Sequence, residues 1–562
     1  MHDQDPVAYR HAETLVSSLV ALGLKHIVIS PGSRSTPLVM ALHRFKELKK
    51  HVVLDERSAA FIALGIGRSS GFPAALVCTS GTAVANYYPA VIEARQSQIP
   101  LVVISADRTN LDRSNGAPQS MDQSRLFGSY PVFEYDIILP DTPESLLRLD
   151  YLAWQSIDAA LNKSGPVHLN MAFDKPFEPH PDSWEPSIPL ASHSARWIHK
   201  PAPFMVEPEH LGIDLTLFRR PIVVAGPLLG NRDFTDKWVK ILEYSGIPII
   251  AELSSGLAHS SLHHERIRPY TQILSDSNHR EALKPDVILR MGHFPSGKVL
   301  ETFLETHREV PEIAFHDTLS TGSPHHPAGT RVSGVPSLSF IQKIKTSIET
   351  GWLSQWQSAA AQVSTTFTDK VLTDGAVHRA VIRHLRSGTN LFLSNSLPIR
   401  DFNFFNSDWN TDHNPVFTAR GVSGIDGISS QALGVGLGNQ ANTILITGDL
   451  AFLHDSNILL SNSLLKDHSL TIVVINNGGG QIFRSLPVAS FESVYETYFG
   501  TPQKVEIDLL CRAHDVDYHK ASTPSELSSI LSIPQLDQGI RVIECVTDLQ
   551  ASVLERKTSW KS

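Results

Sequence analysis

The chain has 562 residues, 41% hydrophobic and 19% charged, which is ample for more than one core and for roughly three domains. A formal net charge of −9 excludes a protein that grips nucleic acid regardless of sequence, since that needs a basic face to displace counterions; a local basic pocket for a small anion stays open. Three cysteines without a C-x-x-C pair (Cys78, Cys511, Cys545) exclude a disulfide scaffold and a structural zinc site, and with no targeting pattern and no apolar run of the ~20 residues a membrane span needs, the expected compartment is the cytoplasm.

In the first third, short apolar runs alternate with amphipathic stretches. The runs are HIVIS (26–30), VVL (52–54), AALVC (74–78), LVVIS (101–105) and VHLNM (167–171). Runs apolar on both faces, separated by helical patterns such as RSAAFIALGIGRSS after Glu56, predict parallel strands joined by right-handed crossovers. A Pro-rich stretch, 174–190 continuing to 201–204, reads as a linker. A second α/β segment follows, with runs at 221–226, 247–253, 286–292 and 312–317, then an irregular stretch at 318–337. A third begins near 365, with runs at 391–394, 443–449, 470–477 and 540–545. The expected architecture is therefore α/β, three doubly wound parallel-sheet domains at 1–180, 206–350 and 365–562, with a linker at 181–205. In such sheets ligands sit beyond the carboxyl ends of the strands.

At those ends the third segment carries its most informative pair. TILIT ends in Gly448-Asp449, a helical stretch 450–466 follows, and LTIVVI ends in Asn476-Asn477 before Gly478, Gly479 and Gly480. One carboxylate (Asp449), one amide (Asn476) and a carbonyl in the glycine run (Gly478) make an oxygen-only donor set of the kind Mg²⁺ prefers, its octahedron completed by phosphate and water. The glycines let the backbone approach an anion. Each dipeptide alone reads as a turn; across one βαβ unit they resemble the Gly-Asp…Asn-Asn signature of thiamine diphosphate (ThDP) enzymes. In the first segment Glu56 ends a strand and opens a helix. Alone it is a helix-start acid favoured by the macrodipole; beside a diphosphate-type domain it is a candidate for the carboxylic acid that activates ThDP through its aminopyrimidine ring, which requires a dry setting. Ser80-Gly81-Thr82 in CTSGTAVANYYPAVIEA (78–94) is either part of a pyrimidine-type domain or a helix N-cap.

Further motifs narrow the match: SPGSRSTPL (30–38), DERSAAFIALG (55–65), SADR (105–108), GAPQSMDQ (116–123), NSLPIRD (395–401), ARGVSGIDG (419–427), GDLAFLHDSN (448–457) and NNGGGQIF (476–483). With them the chain resembles, over nearly its whole length, the MenD family of ThDP-dependent 2-succinyl-5-enolpyruvyl-6-hydroxy-3-cyclohexene-1-carboxylate synthases. The resemblance implies a transferase that decarboxylates 2-oxoglutarate and adds the succinyl carbanion equivalent in a 1,4 sense to isochorismate, in menaquinone biosynthesis. It implies ThDP and Mg²⁺, or Mn²⁺ in its place, in a homodimer or homotetramer. Substrate residues carry over to Ser33, Arg34, Arg108, Gln119, Ser396, Arg400 and Arg420, and more loosely to Lys298. Cofactor residues carry over to Glu56, Ser80, Gly81, Ser423, Ile425, Gly448, Asp449, Leu450, Asn476 and Gly478. Ile425 is the implied apolar prop that bends the cofactor, and Ile482 and Phe483 the implied wall of the second-substrate side, though core packing explains Phe483 equally well. Four arginines suit two dicarboxylates, since arginine binds carboxylates in bidentate fashion. Arg484, which interrupts the usual wording after Phe483, and Gln431, in place of the usual Thr, depart from the pattern. Two alternatives remain at this level: another ThDP-dependent 2-oxo acid decarboxylase or carboligase such as an acetolactate synthase, and an inactive ThDP-fold binding protein.

Overall fold

The computed structural model describes residues 5–181, 198, 204–228, 232–316, 329–363, 367 and 369–558. The first unit holds β1 (His26–Ile29), β2 (Lys49–Val52), β3 (Ala74–Cys78), β4 (Leu101–Asp107), β5 (Phe133–Ile137) and β6 (Pro166–Ala172). The middle unit holds β7 (Met205–Val206), β8 (Pro221–Ala225), β9 (Ile249–Ala251), β10 (Val287–Met291), β11 (Glu312–His316), β12 (Thr330–Ser333) and β13 (Val335–Pro336). The third holds β14 (Asn390–Leu393), β15 (Val416–Thr418), β16 (Thr443–Gly448), β17 (Ser469–Asn476), β18 (Asp517–Ala521) and β19 (Gly539–Val546).

The first sheet runs β2-β1-β3-β4-β6-β5 and the third β15-β14-β16-β17-β19-β18, the same permutation of strands one to six. The middle sheet runs β12-β11-β10-β8-β9, with β13-β7 as a separate pair. Pairing throughout is parallel, as in β1–β3 and β14–β16. The strand order reverses beside β1/β3 and β14/β16, the position at which open parallel sheets bind ligands beyond their carboxyl ends.

The central strands coincide with the apolar runs because they are covered on both faces; β3, β8, β10 and β14 are buried throughout. The edges differ. The run at 52–54 is not a strand of its own: β2 ends at Val52, and of its four residues only His51 is buried. β5, β15 and β18 (FEYDI, VFT, DYHKA) are partly covered strands that an apolar-run criterion misses. β12 lies inside the stretch read as irregular. Most of the Pro-rich linker lies outside the described residues. The stretch after Asp449 is also not one helix. It is helical over Asp449–His454 and then a 3₁₀ run, Ser456–Leu464. The break is at Asp455, whose buried carboxylate turns inward to accept the Ser430 N–H and hydroxyl at 2.7 and 3.0 Å.

The first and third units share one core. The helix Glu56–Ser70, after the second strand of the first unit, packs on the helix Ile428–Asn439, after the second strand of the third. They cross backbone to backbone. A Cβ on Gly434 would lie 2.1 Å from the Ile62 carbonyl oxygen, and one on Gly65 2.2 Å from that of Gln431. Gly434→Ala is therefore expected to force the helices apart. Overpacking usually costs about 1–3 kcal/mol, and with backbone rather than a flexible side chain in the way the loss belongs at the upper end. A melting temperature equal to the parent's would show that the crossing is not rigid.

Candidate active site

The residues expected to act sit at strand carboxyl ends, in two clusters and one bridging loop. In the first unit, the loop after β1 is pressed onto the end of β3. Gly32 leaves no room for a Cβ beside Thr79, and the Arg34 N–H donates to Thr79 Oγ1 at 3.2 Å. Ser33 is exposed at the start of the turn Ser33–Ser35. The Arg34 guanidinium is buried, donates to the Phe173 carbonyl at 2.8 Å and stacks on Phe177. Burial lowers its pKa, and the nearby charge of Arg108 adds to that, so Arg34 and Arg108 are neighbours. Arg108 is half-buried, 3.7 Å from Asp112. Gln119 joins them through a reciprocal pair: its Nε2 donates to the Ser80 carbonyl at 3.0 Å, while Ser80 Oγ donates to the Gln119 carbonyl at 3.1 Å. Gly81 has a φ of +86° and donates its N–H to Gln123.

Glu56 opens its helix, but the cap is Asp55, whose carboxylate takes the N–H groups of Arg57 and Ser58. Glu56 itself makes no hydrogen bond or ion pair among the described residues, so its carboxyl is free for a ligand. It is half-buried in the single chain, not yet in the dry setting its expected role needs. Its flanks touch the third unit: Arg57 donates to the His454 carbonyl at 2.7 Å and Asn457 to Asp55 at 2.5 Å.

In the third unit, Asp449 is buried at the end of β16, and its carboxylate accepts the N–H groups of Leu450 at 2.8 Å and Gly479 at 2.7 Å. The second bond ties it to the loop after β17. Burial raises the Asp449 pKa, opposed by these N–H groups. Asn476 donates its Nδ2 to Glu544 at 2.6 Å, which leaves its Oδ1 as the free end. The Gly478 carbonyl already accepts Gln481 Nε2 at 3.1 Å and keeps one lone pair. The residues present fit Mg²⁺: one carboxylate, one oriented amide oxygen and one carbonyl, too few to hold a metal unless a diphosphate supplies the rest. No group of three His, Cys, Asp or Glu among the described residues offers another metal site. The glycine run serves two purposes. Gly479 and Gly480 are required by the backbone of the segment Glu496–Gly500, whose carbonyls would lie 2.0 Å from an added Cβ. Gly478, at φ +81° and with its nearest neighbour 3.9 Å from such a Cβ, is the one with space for an anion.

The bridging loop joins two motifs. Asn395 Nδ2 donates to the carbonyls of Ala419 and Gly424 at 2.7 and 2.8 Å, and its Oδ1 accepts from Arg420 at 3.3 Å. Ser396 caps the helix Leu397–Phe405 at a φ of +72°, and Arg400 donates to its carbonyl at 2.6 Å. Arg400 and Arg420 are both half-buried, and among the described residues neither has a carboxylate within ion-pair distance. Burial lowers both guanidinium pKa values, and in each case the main opposing charge is Glu252 of the middle unit. Glu252 is fully buried, with Oε1 accepting from Ser296 and Gly297 and Oε2 without a partner. Ser423 sits at φ +61° and Ile425 is 38% exposed, an apolar side chain left uncovered.

Three residues are less integrated. Lys298 is 69% exposed and pairs with Glu301, whose charge also acts on Arg400. Phe483 is half-buried edge-on to Phe499, and Ile482 is half-buried beside it in the turn Gln481–Ser485. Arg484 is held within its own segment, donating to Gln481 and Glu496 over the ring of Tyr495. Gln431 is fully buried with both amide atoms unpartnered. Sequence reasoning passed over Asn395, Glu252, Glu544 and Asp55, because their value lies in contacts across the chain rather than in a local pattern.

Comparison with known proteins agrees with this layout. Residues 10–126 match the thiamine pyrophosphate enzyme N-terminal TPP-binding domain, and 410–545 the C-terminal TPP-binding domain. A 2-succinyl-5-enolpyruvyl-6-hydroxy-3-cyclohexene-1-carboxylate synthase from Gloeothece citriformis is 34% identical, covering 98% of this chain and 97% of its own. The chain belongs to this synthase family. Synthases of the same name from Listeria monocytogenes (33% identical, covering 100% of this chain and 98% of their own) and Geobacillus kaustophilus (35%, 98% and 97%) extend the match. Membership accounts for the repeated strand order: the two family-matched thiamine-binding units carry the same permutation, and the metal and acid candidates lie at equivalent ends of their sheets. No helix among the described residues is long and apolar enough to cross a membrane.

Asp449→Ala removes the one carboxylate of the donor set. Its expected effect is a large rise in the ThDP concentration needed for half-saturation, lessened at high ThDP and Mg²⁺, read by quenching of intrinsic fluorescence on titration. Unchanged cofactor dependence would remove Asp449 from the site.

Proposed function

We propose that this chain is a ThDP- and Mg²⁺-dependent transferase that decarboxylates 2-oxoglutarate and adds the remaining four-carbon fragment in a 1,4 sense to isochorismate. The product is 2-succinyl-5-enolpyruvyl-6-hydroxy-3-cyclohexene-1-carboxylate, on the route to menaquinone. The observation that carries this reading is the set of arginines: Arg400 and Arg420 joined through Asn395 and Ser396 without an ion pair, and Arg34 beside Arg108 in the first unit. Several guanidinium groups at strand ends, two of them without an ion pair among the described residues, suit substrates with more than one carboxylate. An acetolactate synthase, whose 2-oxo acid has a single carboxylate, needs fewer. The experiment is product analysis with ThDP, Mg²⁺, isochorismate and either 2-oxoglutarate or pyruvate; consumption of pyruvate alone would turn the assignment to the other carboligases.

When bound, ThDP supplies the carbon nucleophile and electron sink that decarboxylation of a 2-oxo acid requires. The chain's own residues do the rest. Asp449, Asn476 and the Gly478 carbonyl would hold the metal. Ile425, an apolar side chain left uncovered, would pack against the bound cofactor. Glu56, otherwise unengaged, would hold or share a proton at the aminopyrimidine edge. Ser33, Ser396, Gln119 and the arginines orient the carboxylates and oxo groups, with Lys298, Ile482 and Phe483 on the outer side. Glu56→Gln keeps the size but loses the acid. Hydrogen–deuterium exchange at C2 of bound ThDP should slow by about 10²–10⁴-fold, while Arg420→Ala should leave that exchange intact and raise the KM for the 2-oxo acid. Equal slowing in both variants would contradict this division.

We also propose that the working form is at least a homodimer, Glu56 of one copy meeting Asp449 of the other. Exposed Val52, Leu54, Val422 and Ile425 flank the candidate residues in a single chain and are suited to cover by a second copy. Light scattering during turnover is expected to give twice the chain mass or a multiple of it; an active monomer would overturn the arrangement.

A further inference from the structure

Glu93 lies in the helix Tyr88–Gln96 of the first unit, within the 78–94 motif, and has no role in the function proposed above. Its carboxylate is 3% exposed. Oε1 accepts the Ser97 hydroxyl at 2.5 Å and the Gly421 N–H at 3.0 Å, and Oε2 accepts the Val422 N–H at 2.7 Å. The cation beside it, Arg68, is 1% exposed and reaches Oε1 through one nitrogen at 3.4 Å, while its Nε and Nη1 find no partner. A buried arginine–carboxylate pair repays its desolvation best when it is bidentate with the remaining donors satisfied. Here the carboxylate gives its short bonds to Ser97, at the end of its own helix, and to a loop of another unit; Arg68 Nη2 has the longest contact with it and donates also to Ser97 Oγ at 3.1 Å.

The loop it grips is the one after β15. Asn395 holds two of its carbonyls, Ala419 and Gly424, from the third unit. Glu93 holds two of its N–H groups from the first. Between these bonds lie Arg420, Ser423 at φ +61° and, one residue on, Ile425. The fit is close: a Cβ on Gly421 would lie 2.7 Å from Glu93 Oε2 and from Ser97 Oγ. We infer that Glu93 is a positioning residue, a buried carboxylate of the first unit that clasps the Gly421–Val422 backbone of the third and thereby sets the place of Arg420 and Ile425. Resting on the function proposed above, its consequence is that affinity for the 2-oxo acid depends on a residue that never touches it.

Glu93→Gln alone would leave Arg68 a buried unpaired cation and can fail to fold. The test therefore uses the neutral pair Arg68→Gln/Glu93→Gln, whose amide has one acceptor for two N–H groups, and separately Gly421→Ala, which pushes the loop off Glu93 with both charges in place. Two quantities are read: amide hydrogen exchange of a peptide spanning 419–427 in the substrate-free protein, and the KM and kcat for 2-oxoglutarate with ThDP and Mg²⁺. Both variants are expected to lose protection in that peptide. Because displacement of an anchor by about 1 Å can cost 10²-fold, KM should rise at least about tenfold, with a smaller change in kcat. Unchanged protection overturns the clasp. Lost protection with a KM within twofold of the parent overturns its link to substrate, as does a lowered melting temperature and active fraction with KM unaltered, the mark of a merely structural pair. If the parent itself consumes no 2-oxoglutarate, the functional reading fails, and the exchange measurement still decides the clasp.

Discussion

Where Gly65 meets Gly434, two helices approach until their backbones touch, and an added Cβ on either would lie little more than 2 Å from a carbonyl oxygen of the other. Side chains flex, whereas packed backbone at this distance does not. The crossing therefore makes the first and third units one body with one core, and the positions at the helix N-termini follow from it. At one end lies Glu56. At the other Gly427, φ +64°, abuts the ring of Phe61 so closely that a Cβ would lie 1.9 Å from it, which places the loop carrying Arg420 and Ile425. The contacts of Arg57 with His454 and of Asp55 with Asn457 then tie the start of the Glu56 helix to the third unit of the same chain.

Charge is arranged against the chain's overall acidity. Arginines collect at the strand ends, and the carboxylates around them are deeply buried and used as fittings. Glu252 takes three hydrogen bonds from Ser296 and Gly297 and sends its field toward Arg400 and Arg420. Asp374 accepts from Thr547, Asn477 and Arg556, tying the last helix to the loop beside Asn476. Asp455, its pKa pushed up to about 7 by burial against the pull of Ser430, interrupts the helix after Asp449. A buried carboxylate is tolerated only where donors compensate its lost hydration. Glu252 and Asp455 thereby fix the backbone at Ser296–Gly297 and at Ser430, and Asp374 gathers three side chains from separate segments.

What could be read from the sequence alone was whatever repeats a local physical rule. Strands covered on both faces show as unbroken apolar runs, so the central strands and the three α/β units were legible, while β2, β5, β12, β15 and β18 were missed or misplaced, because partly covered or edge strands mix polar with apolar residues. Gly448-Asp449 and Asn476 could be nominated as candidates because the two dipeptides fall within one βαβ unit, and the arginines because they stand in contiguous motifs. Tertiary structure alone decided that two of the three glycines after Asn477 make room for Phe499 and Gly500 instead of an anion, that Glu544 turns the Asn476 amide, and that Glu93 holds a loop more than three hundred residues away. These are contacts between groups far apart in the chain, and the side chains that make them obey no periodicity; only the folded backbone, locked at a glycine crossing, brings them within hydrogen-bonding distance.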